Sequence, residues 1–302
     1  MKKSESLSRR KRRPSTRDWA QAIQELRHDH DLELLLELKG MARSTYYYHA
    51  GNPKMDPYSS IRARIGEIYA QNNKRYGYRR ITMQLRNEGS LINHKTVQKL
   101  MGEMGLKAKR KRQKYHSYKG EIGKIAPNVL QRDFYASAPN MKWTTDVTEV
   151  KIKDRKLYLS PILDMFNGEI ISYTISDHPD LKMVTSMLDK AFKREPKLNG
   201  LIFHSDQGWH YQHLRYQKML KDNGIVQSMS RKGNCLDNAM MENFFGLMKN
   251  ELLYLRQWDC IKQFKEELKK YIDYYNNDRI KLRLNGKSPV KYRALFNSKS
   301  AS

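Results

Sequence analysis

The stretch from residue 142 to 175 constrains the fold of this chain more than any other. Three strand-like runs, at 142–152, 157–166 and 169–175, are separated by Asp154-Arg155 and by Asn167-Gly168, the second a strong hairpin signal. Tight-turn residues between such runs predict three consecutive strands in an antiparallel meander. A helical stretch at 181–194 follows, then a strand at 201–205, a helix at 211–222, a strand at 225–229 and two long helices near 237–254 and 260–276. Strands first, then alternating helices and strands, imply an α/β fold on a mixed five-stranded sheet.

Everything upstream reads as helical. Residues 1–17 carry Arg9, Arg10, Lys11, Arg12, Arg13 and Arg17 with almost no apolar content, so they form a basic arm that cannot bury a core. Residues 18–50 read as three helices in a helix-turn-helix-like module, with Trp19, Ile23 and Leu26 on one face of the first and Gly40 breaking the second. A second helix-turn-helix module spans 58–106, with breaks at Gly77, Gly89 and Gly105. Residues 107–132 read as a basic linker, 133–293 as the α/β core with a C-terminal helix, and 294–302 as a tail.

Charge selects the partner. The formal net charge is +26, from 58 Lys and Arg against 32 Asp and Glu, which attracts a polyanion. Nucleic acid fits, and a membrane does not, because no apolar stretch approaches the roughly 18 residues a span needs. Cys235 and Cys260 are the only cysteines, too few for a disulfide framework. A cytoplasmic location is expected, nucleoid-associated when the chain is on DNA.

Three carboxylates stand out. Asp146 lies inside the run Lys142-Trp143-Thr144-Thr145-Asp146-Val147-Thr148-Glu149-Val150 and would share a strand face with Val150 and Ile152, where a buried carboxylate is costly unless a positive charge compensates it. An edge-strand Asp facing water is the plainer alternative. Asp206 ends the run Leu201-Ile202-Phe203-His204-Ser205, where it could equally begin a turn or cap a helix. Glu242 follows the helix starters Asp237 and Asn238, and helical spacing puts Asn238, Glu242, Gly246 and Lys249 on one polar stripe, although a lone Glu there is usually solvated. The spacings leave 59 residues between the two aspartates and 35 between Asp206 and Glu242.

The surrounding motifs carry a resemblance. Trp143-Thr144-Thr145-Asp146-Val147-Thr148, His204-Ser205-Asp206-Gln207-Gly208, the segment Ser230-Arg231-Lys232-Gly233-Asn234-Cys235-Leu236-Asp237-Asn238-Ala239, and then Glu242-Asn243-Phe244-Phe245, resemble the integrase-type DDE transposases of bacterial insertion sequences. The match is to the OrfB-type proteins of the IS-three family. It covers roughly residues 58–293, since Tyr76-Gly77-Tyr78-Arg79-Arg80-Ile81 resembles the helix-turn-helix that precedes the core in that family. The 35-residue gap and Lys249, seven residues past Glu242, belong to the same signature. The resemblance implies an RNase H-like core in which Asp146, Asp206 and Glu242 bind two Mg²⁺ or Mn²⁺ ions. Water would cleave a phosphodiester at the element end, and the freed 3′-hydroxyl would attack a second one in line. Lys249 would meet DNA phosphate beside the metals, and His204 and Asn238 are candidates for positioning substrate, the plainer alternative for His204 being a hydrogen-bonded histidine at a strand end. The family's Tyr-Asn-x-x-Arg-x-His segment reads Tyr275-Asn276-Asn277-Asp278-Arg279-Ile280-Lys281 here, with Lys281 in place of the His. His28 and His30 have no cysteines nearby, so no zinc is expected.

The expected partner is double-stranded DNA, both element ends and target, engaged by a homo-oligomer on DNA and in some family members with an upstream-frame partner or fusion. Candidate DNA contacts are Arg43, Ser44 and Tyr47 in the first module and Arg79, Arg80, Lys95, Thr96 and Lys99 in the second. Lys109, Arg110, Lys111 and Arg112 are the candidates in the linker. Two rival readings are a metal-dependent nuclease that cuts without joining and a non-enzymatic helix-turn-helix regulator. The intact carboxylate triad opposes the second.

Overall fold

The computed structural model describes residues 14–51, 56–108, 125–231 and 235–300, arranged as two compact units, residues 1–61 and 62–302. In the first unit α1 (Thr16–Leu26), α2 (Leu32–Lys39) and α3 (Arg43–Gly51) surround a small core of Ala20, Ile23, Leu36 and Tyr46. Ser15 starts α1 with a capping box: its amide donates to the Asp18 carboxylate at 2.7 Å while its hydroxyl accepts from the Asp18 amide at 3.3 Å. Gly40 ends α2 in the left-handed conformation, φ 65°, as its place in the sequence predicted. The buried face of α1 is rotated from the expected one: Ala20 and Ile23 point inward, whereas Trp19 is 39% and Leu26 46% exposed. The fully buried Tyr46 ring shares the core with Ala20, whose small side chain leaves room for it, and Trp19 instead lies under the Lys39 ammonium at 4.6 Å.

The second unit opens within α4 (Ser59–Gln71), which is followed by α5 (Tyr78–Asn87) and α6 (His94–Glu103). Ile65, Ile68, Ile81, Leu85, Val97 and Leu100 are buried, one stripe from each helix. The mixed sheet follows: β1 (Lys142–Thr145), β2 (Thr148–Ile152), β3 (Arg155–Asp164), β4 (Ile170–Ser176), β5 (Ile202–Ser205) and β6 (Val226–Met229). β1 and β2 both pair antiparallel with β3 in one unbroken register, Thr145 opposite Ile162 and Thr148 opposite Leu159. They are one interrupted strand, so six segments occupy the five expected positions. β4 lies on the other edge of β3, and β5 and β6 extend the sheet in parallel from β1.

Helices cover both faces, as a sheet with a parallel half requires. On one side α7 (Leu181–Arg194) and α9 (Leu214–Asp222) bury Val184, Met187, Leu188, Tyr216 and Leu220 with Trp143, Ile162 and Phe203. On the other, α10 (Ala239–Met248) and α11 (Ile261–Asn277) bury Met241, Phe244, Phe264, Leu268 and Tyr271 with Val150, Leu157 and Leu159. A single turn, α8 (Trp209–Gln212), follows β5. The segment expected as a tail from residue 294 is helical instead: α12 (Pro289–Ser300) is anchored by Arg293, which donates to Glu169 at 3.1 Å and Asn140 at 2.6 Å. The last part of the expected linker belongs to the core, because the Val129 and Leu130 amides donate to the Ser228 hydroxyl at 3.0 and 3.1 Å.

Candidate active site

Asp146 occupies the break between β1 and β2 rather than the interior of a strand, the first correction to the sequence reading. Its Oδ1 accepts from the Val147 amide at 2.7 Å, which removes that donor from the strand ladder. The parallel pairing of β1 with β5 sets Thr144 opposite His204, so Asp146 and Asp206 each stand two residues beyond a paired position. Both lie at the carboxyl ends of adjacent parallel strands, where open α/β sheets place their ligands. Asp206 folds back as well, its Oδ1 accepting from the Gly208 amide at 2.9 Å. A Cβ at residue 208 would come within 3.0 Å of that oxygen and 3.4 Å of the Tyr211 ring, which accounts for glycine there.

Glu242 arrives from the other side of the chain, in the first turn of α10. Two residues before that helix anchor its start. Asn238 donates to the Thr145 carbonyl at 3.1 Å and accepts from the Thr144 hydroxyl, tying α10 to the end of β1. Asp237 is fully buried and gathers Arg231 at 2.9 and 3.0 Å, Arg132 at 2.8 Å and Asn128 at 3.2 Å. The Arg231 guanidinium above all holds its carboxyl well below the usual range.

The three candidate carboxylates behave oppositely. Burial, then the negative charge of Asp206 and to a lesser degree of Glu242, pushes Asp146 well above the usual carboxylate range. Burial raises Asp206 and Glu242 too. None of the three has an ion-pair partner among the described residues, although each keeps part of its surface open to solvent. Lys249 supplies a positive field at Asp146: burial lowers its ammonium, and the charges of Asp146 and Glu149 oppose that shift. Tyr211 lies beneath the pair, its phenol pushed well up by burial and by both aspartates. The fold therefore brings Asp146 and Asp206 together with Glu242 close enough to act on Asp146. Among the described residues the three do not close into a ready-made metal cluster. Hard oxygen donors with uncompensated, mutually repelling charge fit a divalent cation.

Other candidates separate. His204 is fully buried, with Nδ1 2.9 Å from the Ser228 hydroxyl and Nε2 3.1 Å from that of Ser230, and burial pushes its imidazole down to about 4. It ties β5 to β6 and has no face toward solvent. Asn238 serves as the α10 anchor described above. Arg43, Ser44, Tyr47, Arg79, Lys95 and Lys99 are exposed, and Thr96 is half-buried. Arg43 reaches Glu33 at 2.9 Å and Lys99 reaches Glu103 at 3.9 Å. Arg80 turns inward, against the expectation of a DNA contact: it lies 3.4 Å from Glu251 and over the Tyr76 ring. Its neighbour Arg79 takes the outward position because consecutive helix residues point about 100° apart. Lys109, Arg110, Lys111 and Arg112, the arm residues up to 13, and residues 232–234 lie outside the described residues.

Lys281 also faces inward, donating to the Tyr275 hydroxyl at 2.7 Å and the Gly168 carbonyl at 3.0 Å, so it clasps the turn between β3 and β4. Sequence reasoning missed Glu251, a buried acid that Arg279 holds at 2.6 and 2.7 Å. Its signal was an acid two residues past Lys249 and an Arg in the Tyr-Asn-x-x-Arg segment. It also missed Trp209, half-exposed three residues past Asp206 and stacked on His210 at 4.0 Å. A groove of about 560 Å³ along the outer edge of β4, lined by Tyr173, Lys190 and Asn276 among others, sits across β3 from the carboxylates. None of Asp146, Asp206 and Glu242 lines this groove, so it does not mark the candidate site.

Comparison with known proteins adds identity to this geometry. The Integrase core domain family matches residues 136–235 and a second Integrase core domain family matches 242–295, while an HTH-like domain family matches 59–114. A protein of Escherichia coli K12 named as transposase InsK for insertion sequence element IS150 is 53% identical over 272 residues, 90% of this chain and 96% of that one. This chain belongs to the IS-three family of insertion-sequence transposases. An uncharacterized transposase-like protein of Haemophilus influenzae is also 53% identical, over 70% of this chain and 98% of its own length. Among solved structures, the catalytic core domain of HTLV-2 integrase in complex with magnesium is 21% identical, with a TM-score of 0.44, over 53% of this chain and 99% of that one. Family membership makes the chain a transposase with an integrase core domain and polynucleotidyl transferase activity. No helix among the described residues is long and apolar enough to cross a membrane.

Proposed function

We propose that this transposase binds the ends of its insertion sequence and cuts and joins DNA strands at Asp146, Asp206 and Glu242, which hold two divalent cations, Mg²⁺ or Mn²⁺. The observation that carries this reading is the placement of Asp146 and Asp206 side by side at the ends of parallel β1 and β5, raised by burial and with no cationic partner among the described residues. When bound there, the cations supply Lewis-acid stabilisation of the entering and leaving oxygens. The remaining work falls to the protein. Asn238 fixes α10 to β1 so that Glu242 is presented to the aspartates, and Lys249 offers an ammonium to the substrate phosphate.

The bond changes balance without a protein intermediate. Water attacks phosphorus at the element end, and the bond from phosphorus to the 3′-oxygen breaks. The freed 3′-hydroxyl then attacks a target phosphodiester in line and displaces its 3′-oxygen, so each phosphorus–oxygen bond formed replaces one broken. Arg43, Ser44 and Tyr47 of the module at 18–50, with Arg79, Lys95, Thr96 and Lys99 of the module at 58–106, contact duplex DNA. Pairing two element ends requires more than one copy, and the reaction takes place on chromosomal DNA in the cytoplasm.

The test is a strand-joining assay on a labelled duplex carrying the element end, with Mg²⁺ or with EDTA. Metal-dependent joined strands, absent with Glu242→Gln, are expected. Nicks without joined product, with or without an upstream-frame partner, would reduce the protein to a nuclease, and binding with neither product would reduce it to a regulator.

A further inference from the structure

Two arginines of the helical module reach the segment that carries Lys249. α10 runs into a π-helical turn, Lys249–Leu253, in which the hydrogen bonds open by one residue, a feature that recurs at functional sites. Lys249 opens this turn beside Asp146, and Glu251 lies inside it, buried. Arg75, in the connection between α4 and α5, donates to the Glu251 carbonyl at 3.0 Å and lies over the rings of Tyr271 and Tyr274, 5.4 and 5.0 Å from their centres. Arg80, on α5, reaches the Glu251 carboxylate at 3.4 Å. Arg279 and the Tyr271 hydroxyl, at 3.1 Å, complete the set.

Further hydrogen bonds tie the helical module to the core. Tyr76 accepts from the Ile280 amide at 3.1 Å, Tyr274 donates to Asn72 at 3.1 Å, and Asn87 donates to the Gly286 carbonyl at 2.9 Å. A buried, charged joint of this kind adds little stability over an apolar one but admits few alternative arrangements. On α5, Arg79 faces solvent while Arg80 faces the π-turn, so one helix addresses DNA and catalytic segment at once.

We propose that Arg75 and Arg80 are positioning residues that lock the helical module onto the π-turn, so that DNA held by the module arrives in register with the carboxylates. This rests on the carboxylate assignment above. Neither arginine touches the reacting atoms. Their effect passes through Glu251 and the turn to Lys249.

The experiment uses the full chain and a labelled duplex carrying the element end with Mg²⁺, recording affinity, cleavage rate and cut position at nucleotide resolution. In the double variant Arg75→Ala, Arg80→Ala, Glu251 keeps Arg279, so the core retains its buried pair. End binding is expected to stay within about twofold of the wild type. Cleavage should fall about tenfold or more and the cuts should spread over neighbouring phosphodiesters, since small misplacements of reacting groups cost rate steeply. Arg80→Lys, which keeps the charge, should restore most of the register in the Arg75-intact chain relative to Arg80→Ala. A folded double variant that cuts at the wild-type position and rate overturns the proposal, as does an Arg80→Ala single variant with unchanged register should the double variant fail to fold. A wild-type chain that makes no cut with Mg²⁺ overturns the carboxylate assignment itself.

Discussion

Asp146 stands where a strand is interrupted because its own carboxylate accepts the next amide, a bond that favours the charged form, while burial and the charge of Asp206 push its protonation range up. Replacing it relieves repulsion with Asp206. Asp146→Asn should therefore lower strand cleavage by about a thousandfold or more, the scale on which removing one member of a cooperating set acts. Without added metal the same substitution should raise the melting temperature by about 2 °C, the usual trade of function against stability. Calorimetry in EDTA checks this, and an unchanged or lower midpoint would contradict the repulsion. His204 shows the opposite chemistry. Its folded value, about 4, lies below the ordinary histidine value of about 6.5, so the folded state prefers the neutral ring. Its contribution is complete above about pH 6.5 and is lost as pH falls toward 4, on the order of 3 kcal/mol over the window. Urea midpoints at pH 7.5 and 5 should differ more for the wild type than for His204→Asn. At this scale the sequence named the three carboxylates as candidates and offered a hydrogen-bonded histidine at the end of β5, but it did not carry the inward turn of Arg80, whose partner Glu251 lies far along the chain.

Elements deliver these residues to one place. β5 carries Asp206 to its end, Gly208 lets the chain fold tightly back, and Asn238 pins α10 against β1. Gly208→Ala should push the Asp206 carboxylate by a few tenths of an ångström, since the added Cβ would meet Oδ1 at 3.0 Å. Cleavage should then drop by about tenfold with little change in thermal midpoint. Equal losses of both would mean that the loop simply fails to form. The meander, the helices of both modules and the two parallel strands could be read from turn residues and periodicity. The division of one strand into β1 and β2 could not, since alternation continues through Asp146-Val147 and only the side-chain bond to the amide stops the ladder. The rotated face of α1 was hidden for a similar reason: Trp19 outranks Ala20 in hydrophobicity, but Tyr46 fills the space beside the smaller residue.

At the scale of the whole molecule, charge governs partner choice and the carboxylates stand out against it. A chain of net charge +26 should bind duplex DNA with a strong salt dependence, losing about 10³ to 10⁵ in affinity between 50 and 200 mM salt if it covers roughly six to ten phosphates. Fluorescence anisotropy across that range tests it, and a flat response would exclude backbone contacts as the source of affinity. Within this positive field, the proposed site of three acids rests on a divalent cation that they would share. The direct measurement is Mn²⁺ titration of the purified chain, followed by electron paramagnetic resonance, for the wild type and for Asp146→Asn and Asp206→Asn. Saturable Mn²⁺ uptake by the wild type that either substitution abolishes is the predicted result. Equal uptake by all three proteins, or none by the wild type even with element-end DNA present, would contradict the account.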